Sequence, residues 1–139
     1  MRLTFSELMN TSSFVWSSLN LQSLQLINLN TETITFSPEF ALLKSYENNE
    51  TVTLQFTTRG FAELKLISSL GRSKLHSFVS FKKSMMVDLG GYPVGNQVMP
   101  VSTGNALNVA VYVPDYRPPQ LLSWTMDTGK NIIVLNFSE

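Results

Sequence analysis

The chain has 139 residues, no cysteine, and 10 Lys+Arg against 10 Asp+Glu. Its charged share of 14% is low beside the about 25% of an ordinary domain, while Ser, Thr and Asn supply 40 residues. Zero net charge removes the basic footprint of a nucleic-acid binder, a single histidine (His76) without cysteine removes structural zinc and disulfide frameworks, and no apolar run reaches the roughly 18 residues of a membrane span.

Met1-Arg2 runs directly into Leu3-Thr4-Phe5 with no apolar leader, as expected of an intracellular protein or of a segment cut from a longer chain. Cysteine absence fits either compartment. From there the periodicity is mostly two. Residues 19–27 alternate at Leu19/Leu21 and Leu24/Leu26, and 33–36 alternate until Pro38 stops them. Residues 51–56, Thr-Val-Thr-Leu-Gln-Phe, are the cleanest strand. Residues 59–70 depart from the pattern. Phe61, Leu64 and Ile67, with Leu66 as a further candidate, fall at helical spacing with Glu63 and Lys65 outward, which predicts a short helix or helical turn. Further strands are predicted at 76–81 and 85–87, and at 106–113 with Leu107, Val109, Val111 and Val113 on one face. Segments 121–126 and 132–137 close the series. Turn chemistry separates these segments at Asn48-Asn49, at 88–91, at Pro93, at Gly95-Asn96, at Gly104-Asn105, at Pro118-Pro119 and at Thr128-Gly129. The pattern predicts an all-β antiparallel sandwich of about seven to nine strands with one short helix. Phe14, Trp16, Phe40, Phe61, Phe78 and Trp124 sit at apolar phases and are expected in the core. Tyr92, Tyr112 and Tyr116 flank the linker side, where aromatic anchors suit a contact between repeats.

One internal repeat stands out. Residues 3–7 read Leu-Thr-Phe-Ser-Glu and residues 135–139 read Leu-Asn-Phe-Ser-Glu, at an offset of 132. Both copies alternate apolar and polar residues as a half-buried strand does. Their placement is expected of one period of a longer array, cut inside the same strand at each end.

The order of motifs resembles that of Ig-like repeats in large surface proteins. Leu3-Thr-Phe-Ser-Glu-Leu-Met-Asn10 with Leu19-Asn-Leu-Gln22 is similar to their opening. Residues 50–56 followed by Gly60-Phe-Ala-Glu-Leu-Lys65 are similar to their strand and short helix. Val87-Asp-Leu-Gly-Gly-Tyr-Pro-Val94 resembles a turn of theirs, and Pro114-Asp-Tyr-Arg-Pro-Pro-Gln-Leu-Leu-Ser-Trp124 resembles the linker between repeats. The family resembled is that of bacterial-Ig-like (Big) and cadherin-like tandem repeats of extracellular proteins. The resemblance implies an Ig-like sandwich as one unit of an array, a structural or adhesive role, and an extracellular or cell-surface location. It also implies that residues 1–116 form a repeat lacking its first strand. Residues 117–139 would be a linker plus the first two strands of the following repeat, or would fold back to complete their own. The expected inter-repeat contact is Leu121, Leu122, Trp124, Ile133, Leu135 and Phe137, with neighbouring repeats as partners.

Sequons occur at Asn10-Thr-Ser12, Asn49-Glu-Thr51 and Asn136-Phe-Ser138, making Asn10, Asn49 and Asn136 candidate N-glycan sites. Asn49 is the best placed, in a polar turn. No enzymatic role is expected. No G-x-S-x-G elbow or phosphate loop occurs, His76 reads as structural, and none of the ten acids sits in a recognisable catalytic setting. No cofactor or metal is expected either. Glu7, Asp88, Asp115, Asp127 and Glu139 are single acids at element ends, where turn capping or a solvated surface accounts for them. The expected function is therefore a non-enzymatic structural repeat of a fibre, appendage or adhesin that assembles by strand completion. A glycan- or protein-binding module is the alternative.

Overall fold

The structure, a computed structural model, describes residues 1–25, 31–45, 49–90 and 95–138. The predicted turn residues Asn48 and 91–94 (Tyr92 and Pro93 among them), the strand end Leu26–Ile27, and Glu139 lie outside the described residues. The described chain is mostly β, in a sandwich-like arrangement with one short helix.

Among the described residues ten strands run in chain order: β1 (Arg2–Asn10), β2 (Leu19–Gln22), β3 (Thr33–Thr35), β4 (Ala41–Leu43), β5 (Asn49–Phe56), β6 (Phe78–Phe81), β7 (Val87–Asp88), β8 (Leu107–Asn108), β9 (Leu121–Asp127) and β10 (Ile132–Phe137). One sheet has the order β4-β5-β1-β7, the second β3-β2-β6-β8, and β9 and β10 form a separate hairpin. All pairings are antiparallel.

Period-two alternation builds the two facing sheets. In β5 the inward Val52 and Leu54 are buried, and in β2 Leu19 and Leu21 are. Pro38 ends the β3 segment, and Ser37 takes over by accepting from the Phe40 N–H through both its backbone carbonyl and its hydroxyl. That turn stacks three rings. Phe36, Phe40 and Phe56 lie 5.2–6.0 Å apart between centroids, and each edge-on pair adds about 1 kcal/mol beyond its buried area. Met85 and Met86 are buried in the same core.

Helix α1 (Thr58–Leu66) follows β5 directly. Thr57 caps it, its hydroxyl accepting from the Gly60 N–H at 2.9 Å. The helix differs in phase from the expectation. Gly60 is its buried residue, and Leu64 and Ile67 pack on the core, so the inward set is 60/64/67. Phe61 turns outward, 43% exposed, with the Lys65 ammonium 4.6 Å from its ring. The cause is the absence of a Cβ on Gly60, which lets the helix backbone lie directly on the Phe40 carbonyl.

Gln22 is fully buried, although the alternation of β2 would turn it outward. Its amide donates to the carbonyls of Leu24, Gln25 and Thr103 at 2.8–3.0 Å, and its carbonyl accepts from the Ser80 hydroxyl at 2.9 Å. One side chain thus ties three segments together, the end of β2 with residues 24–25, β6 and the turn at Thr103, with nothing left unpaired.

The predicted strand at 106–113 is also shorter than expected. Only Leu107 and Asn108 pair, with Val79 and Phe78 of β6. Beyond them the Val109 N–H still bonds the Ser77 carbonyl at 2.9 Å, the chain bends at Ala110, and Val111 and Val113 are 75% and 84% exposed. Every residue from 115 to 138 is exposed.

Candidate functional site

The hairpin is closed by local chemistry. Asp127 Oδ1 accepts from the Lys130 N–H at 3.1 Å, and Asn131 takes the left-handed conformation at φ 55°. Asparagine tolerates that region because its short amide bonds locally. The register pairs Asp127 with Ile132, Met126 with Ile133, Thr125 with Val134, Trp124 with Leu135 and Ser123 with Asn136. A bulge at Leu122 then brings Leu121 opposite Phe137.

Strand alternation therefore sorts the hairpin into two faces. One carries Trp124, Met126, Ile133, Leu135 and Phe137 with Leu121, all apolar and all about half exposed or more, Trp124 at 60%. The other carries Ser123, Thr125, Asp127 and Asn136 beside Ile132 and Val134. Five of the six residues expected at an inter-repeat contact share the apolar face, and Leu122 marks the bulge. Met126 belongs with them and was missed. Its place opposite Ile133 depends on the register, which the sequence does not state. Trp124 and Phe61, expected in the core, are exposed instead.

The body carries a complementary feature. Between the N-terminal half of β1 and the chain from 107 to 113 lies a cleft of about 540 Å³. Leu3, Leu21, Phe56, Val79, Leu107 and Val109 are among the side chains that make it apolar. Beside it β1 has an open edge. Met1 and Leu54 exchange backbone hydrogen bonds in both directions, at 2.6 and 2.8 Å. Antiparallel alternation then gives Leu3 and Val52 as the next bonded pair. It turns the N–H and C=O of Arg2 and Thr4 away from β5. β7 pairs only with Met9 and Asn10. Among the described residues, no strand pairs with Arg2–Glu7 on that side.

The other candidates are scattered. Asn49 is exposed at the start of β5, its side-chain carbonyl accepting from the Thr51 N–H. Asn10 is partly buried and caps a short 3-10 turn, accepting from the Ser12 N–H and hydroxyl. Asn136 is exposed on the more polar hairpin face. His76 Nδ1 is hydrogen-bonded with the Ser73 hydroxyl at 2.9 Å. The Tyr112 hydroxyl donates to the Gly71 carbonyl, and Tyr116 is exposed. Asp88 organises a turn, accepting from the Asn96 N–H, the Asn96 amide and the Gly90 N–H. The Asn96 bonds hold its carboxyl below the usual range. Hydrogen bonding to that carboxylate and its like charge raise Glu7. Asp115 and Asp127 each accept a nearby backbone N–H. Among the described residues no three metal-type side chains cluster, and no helix is long and apolar enough to cross a membrane.

No protein-family model, curated protein or solved structure matches the chain.

Proposed function

We propose that this chain is a non-enzymatic structural repeat of an extracellular fibre, appendage or adhesin, of the bacterial-Ig-like or cadherin-like kind, which assembles with neighbouring copies through strand completion. One observation carries the reading. The hairpin presents Ile133, Leu135 and Phe137 to solvent, and the 132-residue offset makes these the counterparts of Met1, Leu3 and Phe5. Those three side chains, Met1 just ahead of β1 and Leu3 and Phe5 within it, pack against the core. β10 thus has the inward face of a first body strand without the body. A two-stranded hairpin is marginal alone in water, and an apolar face of this size marks a surface meant to be covered. In an array, β9 and β10 open the following unit, with β10 as its β1, and residues 1–116, which carry their own β1, lack only the β9-type strand beside it. N-glycans at Asn49 and Asn136 are part of the proposal, since both asparagines are exposed. The apolar character of the cleft favours this reading over a binding module for polar ligands.

The test is a tandem protein in which residues 1–139 continue directly into residues 8–139, so that Leu135–Glu139 serve as the second copy's β1. Trp124 of the first copy is kept as the sole tryptophan. Its emission is expected to shift to the blue relative to the single chain, and the second unit is expected to melt higher than the first. Emission identical to that of the single chain refutes the array.

A further inference from the structure

The open edge of β1 and the cleft beside it face the same missing element, and the hairpin says what that element is. β10 already shows which strand lies against a β1-type sequence and in which register. Subtracting the offset of 132 places Met126 opposite Met1, Trp124 opposite Leu3, Thr125 opposite Arg2 and Ser123 opposite Thr4. Arg2 and Thr4 are the residues whose backbone groups point away from β5.

We infer that the open edge of β1 receives one specific strand, residues 121–127 of a second copy, which exchanges its own β10 for this β1 and binds antiparallel with Ser123 opposite Thr4 and with Trp124 and Met126 seated in the cleft. The inference rests on the array reading and adds the acceptor edge, the direction and the register to it. Main-chain bonds to Arg2 and Thr4 supply affinity, and the inward side chains supply selectivity, as in other cases of strand addition. The inward phase is apolar on both sides of the seam. Leu3 is already packed on the core, and Val79, Leu107 and Val109 form the opposite wall. Charge agrees with the register. Asp127 of the incoming strand lies one diagonal from Arg2 on the outer face, within reach of a long side chain. Of the hairpin's six large, half-exposed side chains the incoming strand brings Leu121, Trp124 and Met126, on the order of 300–350 Å² against the roughly 800 Å² per partner of a standard interface, so the separate strand is expected to bind weakly.

The natural absence of cysteine makes the test clean. The full chain carrying Thr4→Cys is oxidised with a synthetic peptide of residues 119–128 carrying Ser123→Cys, and adducts are read by mass. Opposed residues lie about 5.5 Å apart and diagonal ones about 7–8 Å, against a disulfide limit of about 6.8 Å. The Ser123→Cys peptide is therefore expected to react at least about tenfold faster than a Thr125→Cys peptide. That preference is expected to vanish when the peptide also carries Trp124→Ser. Equal rates for the two cysteine positions overturn the register. The unmodified chain with unmodified peptide gives an independent readout: hydrogen exchange at the Arg2 and Thr4 amides is expected to slow at least tenfold, and unchanged exchange overturns the edge assignment. A chain carrying both T4C and S123C is expected to crosslink between molecules. Closure within one chain at high dilution assigns the slot to the chain's own hairpin and overturns the second-copy source. If Trp124 is buried in the tandem protein while the peptide leaves both amides unchanged, the edge assignment fails and the array reading stands.

Discussion

Gly60→Ala sets two effects of opposite sign against each other. In an ordinary helix the change stabilises, by about 0.4–1 kcal/mol, because alanine restricts the unfolded chain and favours helix. At this position a Cβ would overlap the Phe40 carbonyl oxygen and come within 2.7 Å of its carbon and 2.9 Å of its Cα. All three atoms are backbone, so no rotamer change relieves the overlap. Phe40 is not free to retreat. Its carbonyl accepts the Thr57 N–H at 3.0 Å, and Ala41 beside it pairs with Phe56 in the sheet. Moving α1 outward instead pulls Leu64 and Ile67 off the core. Overpacking costs about 1–3 kcal/mol even where side chains absorb it. With only backbone to move, the upper part of that range applies, and subtracting the propensity gain leaves a net loss of about 2 kcal/mol. For a chain of this size that lowers Tm by roughly 6–10 °C. Thermal and urea unfolding followed by far-UV circular dichroism measure it, with Ala62→Gly, on the exposed side of α1, as the propensity control. A Gly60→Ala protein that melts at or above the parent temperature refutes the close approach of α1 to Phe40, and with it the 60/64/67 phase.

Gln22→Leu keeps the volume but leaves Ser80 and three carbonyls without their partner. A loss of about 1–3 kcal/mol in urea unfolding is expected, and a loss below about 0.5 kcal/mol shows that the amide is not the common tie of these segments. Glu32 accepts from the N–H groups and hydroxyls of Ser68 and Ser69, which hold its carboxyl down at about 2 against an ordinary 4.5. Because the folded value is the depressed one, its contribution is complete above pH 4.5 and disappears as pH falls towards 2. Glu32→Gln should therefore lower Tm at pH 7 and flatten the acid dependence of Tm across that window; a parallel curve contradicts the assignment. Leu135→Lys changes only the hairpin's apolar face. It is expected to leave the main melting transition within about 1 °C and to reduce concentration-dependent association in sedimentation, whereas a large drop in Tm would place the hairpin inside the body's cooperative unit.

Much of this architecture is legible in the residues. Alternation located β5 and β2, Pro38 and Thr128-Gly129 located turns, and the apolar phase of 132–137 located the exposed face. The failures have physical reasons. The phase of α1 was read from its large side chains, but its inward position is the residue with no side chain at all. The burial of Gln22 is not legible in the alternation of β2, which says nothing of four partners waiting inside. Residues 106–113 carry a strand's alternation, yet the ladder with β6 takes in Leu107 and Asn108 alone, and past the Val109 N–H, which bonds the Ser77 carbonyl, the chain leaves the sheet. Trp124 shows the same thing from the other side. Its apolar phase is a true signal of burial, but no core of this unit lies beneath it.

These last two departures have one explanation. A sequence pattern records the surroundings in which a segment ends up, and both 106–113 and 121–137 are patterned for surroundings that residues 1–116 do not supply. The shortage is also matched in kind. The cleft lacks a strand with inward apolar residues, and the hairpin has two such strands and nothing to pack them on. How strongly the two ends join depends on how they are linked. In an array, β9 is held against the next β1 by the turn at 128–131, so pairing is intramolecular, at an effective concentration on the order of millimolar or above. A separate peptide forfeits that advantage and must pay for its own ordering, so an intrinsic Kd near about 0.1 mM suffices: at about 1 mM effective concentration the edge is already roughly 90% occupied. Weak peptide binding and tight tandem coupling are therefore the paired expectation, and the low charge of the surface fits it, because copies joined in line need no repulsion to stay apart.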